Sequence, residues 1–460
     1  MVDEEKVKFT VFAEDSDFHG VRQVTRRENG LVRRIIWGLL LTVSLGVLIN
    51  NTTMQIIYYF EYNHITKYDI TFVHQLDYPA VTICNVNKHK RSEMTLWDIY
   101  EMGPHLEMTY PNRSLIHPEL YPEDWYNDMF VGRDWQQVAD DNEGKVYDLE
   151  DFYNRTAHRF EDLVQACRWK SVSCEESSWE VDYTHYSKCY TFNSLGDHQL
   201  LKAGSGNGLE MVLYDEEDDY IESKDSEDLG FKFLAHSPIE PPFLKELGFG
   251  LAPGFHYLIA LQQREIFGLG GRYTECEKDH ATKYFPNYTV PGCRIECETE
   301  IIYQNCSCKL VESPGNYSVC TTEQYDCTVE VLKKIEESDL CVCQNPCHAT
   351  QYPFTMSILE LRQTTIDKLA KTHPIPENLT TKELAVVNIY FDSLAYEEIT
   401  QVPAYTVLDI LSDFGGTMGL WLGASVLAAI QLLDYLAMFC SVRCCKRGRV
   451  HELTPTRQEK

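Results

Sequence analysis

The sequence has little positive charge and few long apolar runs. Its 460 residues include 41 Lys and Arg against 70 Asp and Glu, which gives a formal charge of −29. This balance argues against a nucleic-acid partner, because such partners are bound through clustered basic side chains. The hydrophobic fraction of 44% is ordinary for a globular chain, so it excludes a transporter built from many membrane helices.

Catalytic motifs are also missing. The sequence contains no Gly-x-Ser-x-Gly, His-Glu-x-x-His or phosphate-loop pattern, and these are the signatures of common hydrolases, metalloproteases and nucleotide-binding enzymes. An ectoenzyme is therefore disfavoured. We expect no catalytic residue, no metal site and no cofactor.

One apolar run near the N-terminus predicts a membrane-spanning helix over residues 35–59. It follows a tail, residues 1–34, whose last part is rich in Arg, and the positive-inside rule places that tail in the cytosol. A cleaved signal peptide is the alternative. Its apolar run should lie closer to the start and end at a small-residue cleavage site.

A second apolar segment, residues 404–442, is followed by a basic tail, residues 443–460. A continuous helix from Tyr405 to Val442 would be ~57 Å long, nearly twice the hydrocarbon thickness, so it either projects or is broken. Gly419 and Gly423 form a Gly-x-x-x-Gly pattern, which is typical of close helix packing. The alternative is an unwound step that presents carbonyls to an ion, and this requires an oligomer.

With both tails inside, residues 60–403 are extracellular. The chain between the two tails holds 28 basic and 61 acidic residues, an excess that attracts cations. Asn-x-Ser/Thr sequons in the extracellular stretch are glycosylation candidates, and Asn50 and Asn51 carry two more at the outer end of the first span. The extracellular candidates are Asn112, Asn154, Asn287, Asn305, Asn316 and Asn378.

Fourteen of the 17 cysteines lie in the extracellular stretch, an even number that allows full disulfide pairing in an oxidising compartment. Cys293 and Cys297 are four apart in a helical pattern, so both sulfurs lie on one helix face. They can meet the extended segment 341–347 in a disulfide ladder. Zinc is the alternative for closely spaced cysteines, but the oxidising compartment disfavours it. Three further cysteines, Cys440, Cys444 and Cys445, flank the inner end of the second span, where palmitoylation is possible.

Several segments together resemble a known family. They are His19-Gly20, YPAVTICN at 78–85, GNGLE at 206–210, the cysteine ladder and DFGGTMGLWLGAS at 413–425. These resemble the degenerin/epithelial sodium channel family. Within it, KCYTFN at 188–193 and LGFGLAPGF at 247–255 are most similar to the acid-sensing ion channels. The likeness spans almost the whole chain.

The resemblance implies a homotrimer, or a heterotrimer with related subunits, of membrane proteins with two transmembrane helices per subunit. Each subunit would carry a large disulfide-rich α+β ectodomain of palm, knuckle, finger, β-ball and thumb. The finger would cover about 86–175, the thumb about 276–347 and the knuckle about 358–384. The implied disulfides are Cys84–Cys189, Cys167–Cys174, Cys276–Cys347, Cys293–Cys343, Cys297–Cys341, Cys306–Cys327 and Cys308–Cys320.

The resemblance also implies the parts of a pore. The selectivity filter would be Gly423, Ala424 and Ser425, with His19 and Gly20 on a re-entrant segment below it. The gate would be Asp413, Gly416 and Ser412, the inner pore would include Gln431 and Asp434, and Tyr62 and Tyr273 would couple the thumb to the first span.

The implied function is a ligand-gated cation channel of the plasma membrane that conducts sodium ions, contacts membrane lipid and is blocked by amiloride. Protons are the expected activator, because His and carboxyl groups of raised pKa titrate just below neutrality. The proton-sensing candidates are His64, Asp69, Lys202, Asp219, Asp392 and Glu397.

The sensor residues and the activating ligand each have an alternative interpretation. His64 alone is also compatible with a structural histidine, and the acidic run 215–219 with a solvated loop. Two thumb positions that are acidic in similar channels are Val329 and Lys333 here, so a neuropeptide is the alternative activator. An ATP-gated trimeric channel is less favoured, because the extracellular stretch lacks a dense basic cluster for a triphosphate.

The inner pore generates one prediction. Similar channels carry an acidic residue where this chain has Gln431, so a trimer loses one carboxylate per subunit from its inner vestibule. We expect weaker discrimination of Na⁺ over K⁺ than in typical relatives, because fewer fixed negative charges face the ions. Reversal potentials under bi-ionic conditions measure this ratio. A Gln431→Glu variant should raise it, and unchanged selectivity would show that Gln431 is not the cause.

Overall fold

The computed structural model describes residues 19–26, 28–222, 228–338, 340–369, 371 and 379–450. The chain divides into two compact units. Unit 1 comprises Met1–Ile65 and Val402–Lys460, and unit 2 comprises Thr66–Gln401.

The described residues form helices and strands in the following order. The helices are α1 (Val21–Thr25), α2 (Leu31–Phe60), α3 (Leu96–Met102), α4 (Glu123–Met129), α5 (Trp135–Asp141), α6 (Leu149–Thr156), α7 (Phe160–Leu163), α8 (Leu244–Leu247), α9 (Val290–Cys306), α10 (Thr322–Ser338), α11 (Gln363–Leu369), α12 (Val407–Leu422) and α13 (Val426–Val450). The strands are β1 (His64–Phe72), β2 (Leu76–Asp77), β3 (Ala80–Asn85), β4 (Val164–Trp169), β5 (Val172–Ser173), β6 (Trp179–Thr184), β7 (Ser187–Phe192), β8 (Gln199–Leu200), β9 (Leu209–Tyr214), β10 (Phe231–His236), β11 (Phe249–Leu251), β12 (Phe255–Phe267), β13 (His348–Gln351), β14 (Phe354–Glu360) and β15 (Leu384–Pro403).

Unit 1 is helical. Among the described residues, α2 is the one helix that is long and apolar enough to cross a membrane, and a shorter apolar stretch covers Ile430–Cys440 within α13. Side chains such as Leu39 and Val43 are more than 60% exposed in the single chain. An apolar helix this exposed needs lipid or protein around it. The first predicted span is therefore a clear helix, whereas the second remains a prediction.

Unit 2 is built on two large sheets. The eight-stranded sheet has the order β13-β12-β15-β9-β4-β5, with β1 also paired to β15 and β14 to β12. The five-stranded sheet has the order β11-β10-β3-β7-β6, and β2 pairs with β8 separately. β12 and β15 run parallel, with His256 opposite Val386, and their register shifts between Leu261 and Gln263.

The main core of unit 2 is made by side chains from both large sheets. β15 contributes Val387, Ile389 and Phe391, and the five-stranded sheet contributes Ile83 and Phe233. All five are fully buried. Full burial of a large apolar side chain is worth roughly 1.5–3 kcal/mol, so this cluster supplies a large part of the folding free energy.

A second core lies among the helices between β3 and β4. It is formed by Ile99 and Met102 of α3, Phe152 of α6 and their neighbours. These short helices are the part of the chain where the resemblance implies a finger. Because their core is separate from that of the sheets, they form a distinct packing unit within unit 2.

One buried carboxylate holds two of these helices together. Asp98 lies in the first turn of α3 and forms a capping box with Thr95, and its side chain is only 2% exposed. The carboxylate accepts hydrogen bonds from Arg155 at 2.9 Å and from the Tyr147 hydroxyl at 2.8 Å. A buried charge is tolerated only when it is paired in this way.

Unit 2 contains seven disulfides, and they join the seven pairs that the resemblance implies. Cys293 and Cys297 of α9 bond to Cys343 and Cys341 of the returning segment, which gives the ladder expected along one helix face. α9 and α10 also pack through an apolar cluster around Ile302. Bridges of this kind add stability by restricting the unfolded chain.

The buried carboxylate generates a stability prediction. Arg155→Met keeps much of the aliphatic stem but leaves Asp98 without its charged donor, so unfolding should become easier by about 1.5–3 kcal/mol. Thermal unfolding of the purified full-length protein measures the change. Lys334→Met is the matched control, because Lys334 is exposed and its ion pair with Glu330 lies along the same helix. Equal effects of the two substitutions would contradict the role given to Asp98.

Candidate functional site

The second long helical segment is interrupted after Leu422. Gly423 caps α12 in the left-handed conformation, with φ of 60°, and its amide donates to the Gly419 carbonyl at 3.0 Å. A glycine in this conformation is a common helix terminator. The Ser425 hydroxyl accepts from the Ala428 amide at 3.2 Å, which caps the start of α13. Of the two alternatives, a projecting helix or a broken one, the structure has the broken one.

His19 lies against this break. Its backbone amide donates to the Leu422 carbonyl at 3.2 Å, and its ring Nδ1 lies 2.8 Å from the Gly423 carbonyl oxygen. Because a carbonyl only accepts, Nδ1 carries the hydrogen in this contact. Gly20 follows with φ of 88° and turns the chain into α1. The structure thus brings together the two segments for which the resemblance implies filter and re-entrant loop.

A side chain at Gly423 would collide with the His19 ring. A Cβ atom placed there would lie 2.3 Å from His19 Nδ1. The positive φ adds to this restriction, because L-residues reach that region only at a cost of roughly 1–2 kcal/mol. Glycine is therefore favoured at this position by both its backbone conformation and the neighbouring His19 side chain.

The break is supported by an apolar cluster within unit 1. Leu48 of α2, Met418 of α12 and Ala424 and Ala428 beside the break are buried together. Ala424 thus faces its own chain, and its side chain is 4% exposed. Gln431 and Asp434 are exposed further along α13.

The expected gate residues lie on the exposed part of α12. Asp413 accepts a hydrogen bond from the Tyr405 hydroxyl at 2.6 Å, while Ser412 and Gly416 are exposed. A Cβ at Gly416 would have nothing within 4 Å in the single chain. Asp409 caps α12 together with Thr406, so this acidic residue has a structural explanation.

The candidate sensor Glu397 is held in an ion pair. Its Oε2 atom accepts from Arg264 Nε at 2.8 Å. Hydrogen bonds from Tyr68 and Arg264 hold the pKa of Glu397 below its ordinary value. A sensor that titrates just below neutrality needs the opposite shift, so we leave Glu397 out of the proposed sensors.

Two other candidate acids accept hydrogen bonds from neutral donors. Asp392 accepts from the Gln262 amide at 2.7 Å. Asp219 accepts from the Ser92 amide at 2.8 Å and from the Ser92 hydroxyl at 2.6 Å. These donors tie each acid to a second segment of unit 2, so both acids hold the fold as well as being candidate sensors.

The remaining candidates are more exposed. His64 and Asp69 lie on β1 and Lys202 lies after β8, and all three side chains are exposed in the single chain. Tyr62 belongs to unit 1 and Tyr273 to unit 2, and the coupling contact between them stays a prediction.

The acidic run 215–219 differs from a solvated loop. Asp215 is fully buried, and the Glu216 side chain is 17% exposed because it pairs with Lys90 and His158. The sequence contained a signal for this, because the inward alternation of β9 continues to Asp215. Three acids of the following loop, Asp225, Glu227 and Asp228, are candidates to replace the partner acids of similar channels. Asp225 and Glu227 lie outside the described residues, and Asp228 is exposed.

On the thumb helix, the two non-acidic positions face solvent. Val329 is 50% exposed, and Lys333 lies 3.9 Å from Glu337 on the same helix.

Four glycosylation candidates are exposed, namely Asn112, Asn154, Asn305 and Asn316. Asn287 is partly buried, and Asn378 lies outside the described residues. In the part of the chain that the structure describes, no group of three His, Cys, Asp or Glu side chains is arranged to hold a metal ion.

The crowding at the break generates a prediction. Gly423→Ala should lower the melting temperature of the detergent-purified protein, because the new Cβ displaces His19 and the backbone keeps an unfavourable conformation. Gly38→Ala on α2 is the control, since a Cβ there has nothing within 4 Å. If both variants melt at the wild-type temperature, the His19 contact does not constrain Gly423.

Comparisons with known proteins agree with these features. The profile of the family described as "Amiloride-sensitive sodium channel" matches residues 12–435. Acid-sensing ion channel 1C of Danio rerio is 37% identical over 442 residues, covering 93% of this chain and 82% of the relative. Acid-sensing ion channel 2 of Homo sapiens is 35% identical over 442 residues, covering 93% and 85%. Acid-sensing ion channel 1 of Gallus gallus is 33% identical over 468 residues, covering 97% and 88%.

Among solved structures, a proton-activated chloride channel aligns with a TM-score of 0.33 and 6% identity, covering 88% of this chain and 96% of that one. This likeness is too low to support any statement about the fold. The family profile, in contrast, spans most of the chain, and each of the three relatives is more than 30% identical over at least nine tenths of it. The chain therefore belongs to the amiloride-sensitive sodium channel family, whose members are ion channels and not enzymes.

Proposed function

We propose that this chain is a subunit of a trimeric, proton-gated, sodium-permeable cation channel of the plasma membrane, and that amiloride blocks it. The three relatives are named for acid sensing, and the proposal extends that property to this chain. The observation that carries the channel part is the helix break at residues 423–425 with His19 against it.

A break of this kind suits a pore. Irregular backbone at membrane depth is tolerated only where it is buried in protein or lines a water-filled cavity. Carbonyls and hydroxyls freed at such a step are able to replace the hydration shell of a cation. Two spans of one chain do not enclose a pore, so the proposal requires an oligomer, and the family resemblance supplies the number three.

The proposed topology places α2 as the first span and α12 with α13 as the second. Both tails then lie in the cytosol and unit 2 lies outside. The seven disulfides support an oxidising compartment for unit 2. Its excess of acidic residues would gather cations near the pore entrance.

Unit 2 holds acids that titrate in the range an acid-gated channel needs. Burial raises the pKa of Asp215 to about 7 and that of Glu240 to about 7. Each of these groups takes up a proton as the pH falls through neutrality. These two carboxyls support protons as the activator, beside the candidates His64, Asp69, Lys202, Asp219 and Asp392.

Voltage clamp of cells that express the full chain tests the proposal. A step from about pH 7.4 to about pH 5 spans the titration of His and of carboxyls with raised pKa values. We expect an inward current that is carried by sodium ions and is blocked by amiloride. Gly423→Ala should reduce this current, and Gly38→Ala should preserve it.

The alternative is a channel opened by a peptide. Its support is the solvent-facing Val329 and Lys333, which replace acids of similar channels. Surface labelling must accompany the recording, so that expression failure is recognised. Surface-expressed protein that gives no acid-evoked current would contradict proton gating of the homomer. A current evoked at neutral pH by a neuropeptide would then favour the alternative.

A further inference from the structure

Asp215 occupies an unusual position at the end of β9. Inward residues of this strand alternate as Leu209, Met211 and Leu213, and all three are at most 1% exposed. Asp215 is next in the same phase and is 0% exposed. The period of two therefore carries a carboxylic acid onto the face that the strand uses for its core.

The backbone of Asp215 is anchored on both sides. Its amide donates to the Glu383 carbonyl at 3.0 Å, and its own carbonyl accepts from the Asn85 side-chain amide at 2.9 Å. These two bonds hold Asp215 between β3 and the turn that precedes β15. The residue is therefore fixed in place independently of its side chain.

The carboxyl group itself is only half satisfied. Oδ1 accepts a hydrogen bond from the Tyr220 hydroxyl at 2.6 Å. Oδ2 is buried, and among the described residues no group lies in good hydrogen-bonding geometry to it. An ionised carboxylate needs hydrogen-bond donors on both of its oxygens. A protonated carboxyl group carries no charge, so it loses less free energy when one oxygen is buried without a donor. An unpartnered buried oxygen therefore favours the protonated form.

The charges around Asp215 point the same way. Glu216 and Glu217 follow it in the chain, and Glu383 lies across the backbone contact. Basic groups nearby are engaged elsewhere. Lys90 forms ion pairs with Glu216 and Asp162. His158 also contacts Glu216. Arg91 donates a hydrogen bond to the backbone carbonyl of Asp218. Among the described residues, no Lys, Arg or His forms an ion pair with Asp215.

Burial is the main reason that the pKa of Asp215 rises to about 7, and the charges of Glu217 and Glu216 add to it. The Tyr220 hydroxyl and the Gly230 amide act in the opposite direction. Glu216 behaves differently. Burial alone would raise its pKa, but His158 and Lys90 hold it below the ordinary value. Two adjacent carboxyls thus differ in protonation near neutral pH.

We infer that the Asp215 carboxyl is a proton-binding site that links extracellular pH to the beginning of β15. Tyr214 pairs with Leu384, the first residue of β15, and the amide of Asp215 binds the residue before it. β15 then continues for 20 residues to Pro403, and α12 follows shortly after in the chain. A change at Asp215 therefore acts on the strand that leads to the second membrane segment.

The direction of the effect follows from the two pKa values. An exposed Asp has an ordinary pKa near ~3.9, and the buried one titrates at about 7. Between these values the buried arrangement holds a proton that an exposed arrangement has lost. As the pH falls from about 7 towards about 4, the ratio of protein with Asp215 buried to protein with Asp215 exposed rises by up to about tenfold per pH unit. Above about pH 7 this preference no longer changes.

Thermal unfolding of the full-length protein in detergent tests proton binding at Asp215. Asp215→Asn imitates the protonated acid, so its melting temperature should exceed that of wild type by a few degrees more at about pH 8 than at about pH 5. Asp218→Asn removes the same charge from an exposed position, and its difference from wild type should not depend on pH in this way. A pH-independent difference for Asp215→Asn would overturn the inference.

Tyr220→Phe provides a second variant. It removes the hydroxyl that stabilises the ionised form, so the pH above which the low-pH stabilisation of the folded protein is lost should rise by about 0.5–1 unit. This variant keeps its own acid at position 215 and tests the site if Asp215→Asn fails to fold. If the midpoint of the pH dependence of thermal stability stays the same or falls, the hydrogen bond described for Oδ1 is contradicted.

The link to β15 rests on the proposed function and is tested separately by acid-evoked current. Asp215→Asn should make the activation curve less steep and shift its midpoint by about 0.3 pH unit or more, because one proton-binding group per subunit is lost. Asp218→Asn should leave the curve in place. Unchanged activation together with the expected melting result would overturn the link. If no acid current exists at all, the proposed function fails, while the melting result still decides proton binding.

Discussion

The hydrogen-bond ladder of β15 is the interaction on which unit 2 depends. This strand pairs with β12, β9 and β1, which come from distant parts of the sequence, and its inward side chains Val387, Ile389 and Phe391 lie in the main core. Backbone groups in such a sheet are satisfied only if all neighbours are present. The same strand ends shortly before α12 in the chain, so the element that organises unit 2 is directly followed by the helix of the proposed second span.

The acidic character of the chain is distributed among different environments. Glu397 and Glu216 have basic or hydrogen-bonding partners that keep their pKa values low, whereas burial raises the pKa of Asp215 and Glu240 to about 7. Net charge alone therefore says little about proton sensing. What matters is which carboxyls lose water without gaining a cation.

Some parts of this architecture followed from local pattern. The apolar run of the first span, the helical spacing of Cys293 and Cys297, and the glycine at 423 each restrict the chain through a few neighbouring residues. The burial of Asp215 followed from the alternation of β9, but the acidic run masked that signal. The ion pair of Glu397 with Arg264 joins residues 133 apart in the chain, and no local sequence pattern predicts such a contact.

The sequence by itself determined the family, the first membrane helix, the cysteine inventory and the residues of the helix break, because motifs and periodicity are properties of neighbouring residues. Only the tertiary structure decided that the second segment is broken at Gly423, that His19 fills the space beside it, and which acids are buried. These outcomes depend on solvent exclusion and on partners supplied by remote segments. A carboxyl group has the same chemistry everywhere in the sequence, and the fold sets its pKa.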